Sequence, residues 1–197
     1  MKLPSPVVRV LDSQGGMITS RDVVALGLSR TMLGKYVQNG LLVRVSRGIY
    51  VVQAAIPDEL FALAKQCDRF VFSHATAAFL HGISDRTPFD HTVSIRSSQT
   101  ISRALRTKLA CFYVKDAIFS LGQVNARTQF GNIVPCYDME RTVCDMVRDR
   151  ERMDDETFLS IVKNYAASDR KDLPKLGHYA EVMGLSKRIA SLMEVAL

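Results

Sequence analysis

The chain reads as an α+β protein: an N-terminal winged helix-turn-helix, then a mixed α/β domain built on a central sheet, then a helical C-terminal third. Three observations predict this order. Apolar residues recur at helical spacing from Val7 to Val37, the period changes to two between Leu41 and Val52, and after a strand-rich middle the helical period returns from Glu140 onward. The boundary falls in Gln53-Ala-Ala-Ile-Pro-Asp58, which divides the chain into a winged-helix domain of residues 1–56 and a second domain of residues 57–197.

Ser5-Pro6 pairs a cap residue with a proline suited to the first helical position, and Val7, Val8, Val10 and Leu11 supply one apolar face. Gly15-Gly16 ends that helix. Thr19 and Asp22 stand in capping-box relation at a second start, with Val23, Val24 and Leu26 facing inward. Gly27 allows a tight turn, after which Ser29 caps a third helix. Met32, Leu33, Tyr36 and Val37 fall on one side of it, and Arg30, Thr31, Gly34, Lys35 and Gln38 on the other. Gly40 stops the helix. Leu41, Val43 and Val45 then alternate against Leu42, Arg44 and Ser46. Arg47-Gly48 and the apolar run from Ile49 to Val52 complete a hairpin signal, with Arg47 at the tip and Arg44 on a flank.

In the second domain, residues 58–67 read as a helix and residues 70–72 as a short buried strand. Ser73 caps a helix reaching His81, closed by Gly82. Residues 91–96, 110–114 and 122–127 are rich in strand formers and form the central sheet. Residues 140–150, 154–165, 172–183 and 186–197 read as amphipathic helices whose apolar stripes are core. On the first of them Val143, Met146 and Val147 face inward, while Glu140, Arg141 and Asp145 form ion pairs on the helix face.

Of 197 residues 47% are apolar, enough to bury real cores. No run is long enough to span a membrane and no secretory signal opens the chain, so a cytoplasmic location is expected. The four cysteines lack both zinc spacing and disulfide density, and read as free thiols. Most of the net charge of +6 lies in residues 1–57, which hold seven basic side chains against Asp12 and Asp22. The small, cationic face of the third helix suits groove recognition: small residues let the backbone approach, and Arg, Lys and Gln reach phosphates and base edges. Double-stranded DNA is therefore the expected partner. A helix-turn-helix also serves for dimerisation or protein docking, and that reading stays open. Residues 86–127 form a second basic region, in which Arg96, Arg103, Arg106 and Lys108 either extend a DNA footprint through phosphate contacts or are ordinary solvated charge around a sheet.

His74 and His81 share one side of a helix but lie two turns apart, a long reach for one ion with no third ligand in view. The plainer reading puts His74 in the first turn and His81 at the helix C-terminus. No phosphate-cradling glycine loop, nucleophile elbow or nuclease-like carboxylate cluster is present. No enzyme activity, cofactor or metal is expected.

The run Gly16-Met-Ile-Thr-Ser-Arg-Asp-Val-Val-Ala-Leu-Gly-Leu-Ser-Arg30, continuing through Gly40-Leu-Leu-Val-Arg-Val-Ser-Arg-Gly-Ile-Tyr50, resembles the winged-helix start of the AbiEi antitoxin family. Two later blocks, Ser73-His-Ala-Thr-Ala-Ala-Phe-Leu-His-Gly82 and Ile133-Val-Pro-Cys-Tyr-Asp-Met-Glu-Arg-Thr-Val-Cys-Asp145, are similar to blocks that recur in it. The resemblance implies the antitoxin of a type IV toxin-antitoxin pair from a bacterial abortive-infection, phage-resistance system. Such an antitoxin binds repeats in its own operon promoter and represses transcription, and its C-terminal domain counters a nucleotidyltransferase-like toxin without a stable complex. On the matching positions it implies DNA contact by Arg21, Ser29, Arg30, Thr31, Lys35, Arg44 and Arg47, and it assigns no residue to the antitoxic role. The alternative is a stand-alone winged-helix transcriptional regulator whose C-terminal domain senses a ligand.

Overall fold

Pro6 lies in the first turn of helix α1 (Ser5–Ser13), where its missing N–H costs nothing. Pro4 is the N-cap and Ser5 makes no side-chain cap, because the helix starts one residue earlier than the Ser-Pro pair suggests. A computed structural model describes residues 2–196. They divide into two units, one running to Asp68 and including Arg127–Val134, the other comprising Arg69–Ala126 and the chain from Pro135 onward.

In the first unit, Gly15 and Gly16 take left-handed φ values of 60° and 83°. A Cβ on Gly16 would fall 2.8 Å from Val52 Cγ2, so only glycine lets its carbonyl accept from Val52 N. Strand β1 (Met17–Thr19) follows, too short to announce itself by period. Helix α2 (Ser20–Ala25) has the expected capping box: Thr19 Oγ1 accepts from Asp22 N at 3.1 Å, and Asp22 Oδ2 accepts from Thr19 N at 2.8 Å. Val23 is buried, but Val24, expected inward, is exposed. Helix α3 (Thr31–Gln38) has Arg30 at its N-cap position, with the Ser29 hydroxyl accepting from Thr31 N.

Strands β2 (Leu42–Ser46) and β3 (Ile49–Val52) form an antiparallel hairpin, and the sheet order β1-β3-β2 leaves β2 at an edge. A bulge between Arg44 and Ser46 interrupts the alternation. Leu42 is buried while Val43 and Val45 are exposed, the reverse of a Val-inward strand. Val7, Leu11, Ile18, Val23, Leu33, Tyr36 and Leu42 make the core of this unit. Each large aliphatic among them contributes roughly 1.5–3 kcal/mol by leaving water. Helix α4 (Glu59–Gln66) is capped by the buried Asp58, whose Oδ1 accepts from Phe61 N while its Oδ2 accepts from Thr128 Oγ1 and Asn132 Nδ2.

The second unit runs β4 (Phe70–Phe72), α5 (His74–Leu80), β5 (His91–Arg96), α6 (Arg103–Arg106), β6 (Leu109–Val114), α7 (Asp116–Phe119), β7 (Gln123–Arg127) and β8 (Ile133–Tyr137), then α8 (Met139–Arg148), a 3₁₀ turn at Arg150–Arg152, α9 (Asp155–Ala167), α10 (Leu173–Val182) and α11 (Ser186–Ala196). The sheet order is β6-β5-β4-β8-β7; β5 is antiparallel to β4 and parallel to β6, and β8 meets β4 in parallel at Phe72 and Cys136. Pro135, with no N–H for a ladder, hides β8 from a sequence reading.

Helix α8 is buried along Met139–Val147, and the expected surface ion pairs at Glu140, Arg141 and Asp145 are instead interior. Arg141 Nε donates to Asp145 Oδ1 at 3.1 Å, its Nη1 donates to the Ile118 and Leu121 carbonyls, and its guanidinium lies over the Tyr137 ring. Arg148 joins Asp145 to Asp149, and Asp149 reaches His74 Nε2 at 3.0 Å. Glu140 is held by Lys175 Nζ, Tyr165 OH and Asp172 N. Glu140, Asp145 and Asp149 thus each have a cation beside them, a condition on which buried charge is tolerated. The four cysteines are free thiols, and burial pushes Cys144 up to about 12.

Because Arg141 neutralises Asp145 in the interior, Arg141→Ala should destabilise the second unit by roughly 3–5 kcal/mol, read by urea denaturation; a loss below about 1 kcal/mol would show the pair to be dispensable. Burial raises the Asp149 carboxyl, but hydrogen bonds from His74 and Arg148 and the Arg148 charge outweigh it and hold the group at about 2. Against an ordinary value of about 3.9, its stabilisation is complete above that pH and lost as pH falls through about 2. Asp149→Asn should therefore flatten the acid limb of the stability curve in that window, and an unchanged limb would contradict the assignment.

Candidate nucleic-acid interface

The exposed side of α3 is made by spacing alone. Thr31, Gly34, Lys35 and Gln38 recur at three- and four-residue intervals and all lie exposed, while Leu33 and Tyr36 anchor the opposite side in the core. Arg30 adds a second cation at the start of the helix. Gly34 has nothing within 4 Å of where a Cβ would stand and no left-handed φ. Packing therefore gives no reason for glycine there, although glycine in a helix interior is unfavourable by about 1 kcal/mol relative to alanine. Its effect is to leave the helix surface low between Arg30 and Lys35. The Ser29 hydroxyl lies 2.8 Å from Thr31 Oγ1, so these two side chains hold each other at the exposed entry to the helix.

The hairpin is aimed by its contact with α2. Ser20 N donates to the Gly48 carbonyl at 2.8 Å, and a Cβ on Gly48, whose φ is 76°, would fall 2.7 Å from Ser20 Oγ. This close approach brings the start of α2, carrying Arg21, beside the turn that carries Arg47, across 26 residues of sequence. Both arginines are exposed, and Arg44 is exposed on the edge strand with its Nε donating to the Ser46 carbonyl. Helix α3 packs on β2, so Arg30 and Lys35 belong to the same unit surface as the hairpin. Among the described residues, none of Arg21, Arg30, Lys35, Arg44 and Arg47 pairs with a carboxylate. Their charge faces solvent.

In the second unit Arg103 and Arg106 on α6, with Lys108 just after it, are exposed and likewise free of carboxylate partners among the described residues. Arg96 differs: it is half-buried over the Phe119 ring, with its guanidinium donating to the Asp116 carbonyl and to Ser120 Oγ. Its planar group is occupied within the fold.

The two helix-borne histidines do not converge. His74 is fully buried, bonded to Ser73 Oγ and Asp149 and stacked on Phe112, while His81 Nε2 donates to the Tyr137 carbonyl at 2.7 Å. Among the described residues no group of three or more His, Cys, Asp or Glu could hold a metal ion, and no helix is long and apolar enough to cross a membrane. Sequence reasoning missed the interior chain from His74 through Asp149 and Arg148 to Asp145. The intervals between Asp145, Arg148 and Asp149 signal pairing, but the same intervals occur on solvated helices and do not reveal burial.

Residues 5–53 match the family described as "Transcriptional regulator, AbiEi antitoxin". No curated protein matches the chain. Among solved structures, the RV2827C protein from Mycobacterium tuberculosis is similar, with a TM-score of 0.65 at 15% sequence identity, covering 99% of this chain and 78% of that chain. At that identity the likeness shows a shared mixed α/β fold.

Since Gly34 is open and helical, Gly34→Ala should raise stability by roughly 0.5–1 kcal/mol. Arg21, Arg30, Lys35 and Arg47 singly changed to Ala should each alter it by less than about 0.5 kcal/mol. Thermal unfolding checks both; a large loss at any of these positions would mark that side chain as structural.

Proposed function

We propose that this chain is a transcriptional regulator and antitoxin whose residues 1–56 form a winged helix-turn-helix that binds double-stranded DNA. The observation that carries the reading is the unpaired cationic face of α3, with its bare Gly34, inside the segment that matches the regulator family. In this reading α3 enters the major groove: Gly34 admits the backbone, Arg30, Lys35 and Thr31 reach base edges, Ser29 and Arg21 meet phosphates, and Arg44 and Arg47 on the wing follow the backbone or enter the minor groove. Arg103, Arg106 and Lys108 add phosphate contacts from the second domain, and Arg96 supports them from its place over Phe119.

The target is a set of repeats upstream of the protein's own operon, so that binding represses transcription. Residues 57–197 are assigned the second role, countering a nucleotidyltransferase-like toxin without a stable complex, as the antitoxin of a cytoplasmic type IV pair that resists phage. This assignment draws on the resemblance of the blocks at Ser73 and Glu140 and gives the chain no catalytic step, cofactor or metal. A second reading, a stand-alone regulator with a ligand-sensing C-terminal domain, is favoured by a cavity of about 450 Å3 in the second unit.

The test is fluorescence-anisotropy binding to the DNA upstream of the gene and to a scrambled duplex at several salt concentrations. The expected result is a preference for the upstream DNA that disappears in an Arg30/Lys35/Arg47 triple alanine variant. Replacing Arg30 or Lys35 alone should cost roughly 1–3 kcal/mol and relax specificity at one position. Replacing Arg103 or Arg106 should weaken binding to all sequences and flatten the salt slope by about 0.9 for each phosphate no longer neutralised. No preference for the upstream DNA would turn the N-terminal domain into a docking module.

A further inference from the structure

The cavity in the second unit holds a feature that the DNA reading does not use. It is lined by Pro88, Phe89, Asp90, Thr92, Phe112 and Arg152, among others. His74 covers one face of the Phe112 ring, with centroids 3.7 Å apart and planes 20° apart, and the Arg152 guanidinium lies 3.9 Å from the same centroid. Two groups that close cannot share one face of the ring, so Arg152 lies on the other. Its donation to the Cys111 carbonyl steadies it there. A guanidinium stacked on an aromatic ring keeps its outer face open, and that outer face is a platform for a second planar group.

Phe89 borders the same cavity with its side chain fully exposed. A ring exposed beside a concave site is free to lie against a planar group bound there. Asp90, also at the rim, pairs with no cation among the described residues. Arg86, the cavity's other arginine, is engaged by Glu156. The site thus offers planar surfaces and a carboxylate acceptor rather than a cluster of free cations for phosphate. Its volume falls within the range of small-molecule sites.

We propose that this cavity binds a nucleobase, stacked against Arg152 and Phe89 with Asp90 accepting from its pairing edge, and that guanine is preferred. Guanine presents N1–H and N2–H side by side, a fork that one carboxylate accepts with both oxygens, whereas adenine offers no such pair. The base belongs either to a free guanine nucleotide or to an unpaired guanine in a strand. The inference stands independently of the N-terminal domain's role.

Isothermal titration of the full chain with GMP, AMP, CMP and UMP, and with a short single-stranded oligonucleotide containing one guanine, tests it. The expected result is saturable binding of GMP, weakened about tenfold by Phe89→Ala and by Arg152→Lys, which keeps the charge and removes the plane. Asp90→Asn should erase the preference for GMP over AMP. Binding of the oligonucleotide alone, weakened by Phe89→Ala, would place the base in a strand. No saturable binding of any probe, equal affinity for all four nucleotides, or affinity unchanged in both Phe89→Ala and Arg152→Lys would overturn the proposal. Phe89 is solvent-exposed, so its replacement leaves folding intact, and upstream-duplex binding by that variant should match wild type, which separates this site from the DNA face.

Discussion

The second unit is organised around one buried cation. Arg141 has the largest volume of the fully buried side chains, and an interior guanidinium is tolerated only where acceptors surround it. They are drawn from separate parts of the chain: Asp145 one turn along α8, the Ile118 and Leu121 carbonyls in and just after α7, and the Tyr137 ring at the end of β8. Gly122 has a left-handed φ of 73°, and a Cβ there would stand 2.6 Å from Arg141 Cβ. The turn before β7 is therefore glycine because its φ is left-handed and α8 passes too close for a second Cβ. The same demand passes outward through Arg148 and Asp149 to His74, which in turn packs the ring that supports Arg152.

The first unit solves the opposite problem. Its core is apolar, with Asp58 as a buried carboxylate that has a complete set of neutral donors, and its cations are displaced to the outside. Arg21 and Arg47 are brought together by one backbone hydrogen bond, Ser20 to Gly48, at a turn whose left-handed φ favours glycine. Interior charges in the second unit thus serve stability, whereas surface charges in the first remain available to a partner. The regulator-family match falls on the unit that keeps its charge free.

Where sequence and structure diverge, the cause is tertiary. Val24 satisfies a helical apolar period yet is exposed, because its neighbour Val23 is the side chain of α2 that packs into the core. Val43 and Val45 read as an inward stripe, but β2 is an edge strand with a bulge, and Leu42 takes the buried position instead. The segment Arg127–Val134 groups with a unit whose other residues end about sixty positions earlier, and the contacts of Thr128 and Asn132 with Asp58 and of Asn132 with the Gln14 carbonyl reveal why.

What the sequence by itself determined are the features set by neighbours a few residues apart: the capping box at Thr19, the glycine stops, the two faces of α3 and the concentration of positive charge in residues 1–57. These depend on helical spacing and local hydrogen bonds, which survive without knowledge of the fold. Only the tertiary structure decided that Glu140, Arg141 and Asp145 lie inside, that His74 and His81 serve different partners, and that Phe89 and Arg152 border one cavity. A charged side chain at a given helical interval looks the same whether it faces water or a buried counter-ion. The difference is made by groups 20 to 75 residues away.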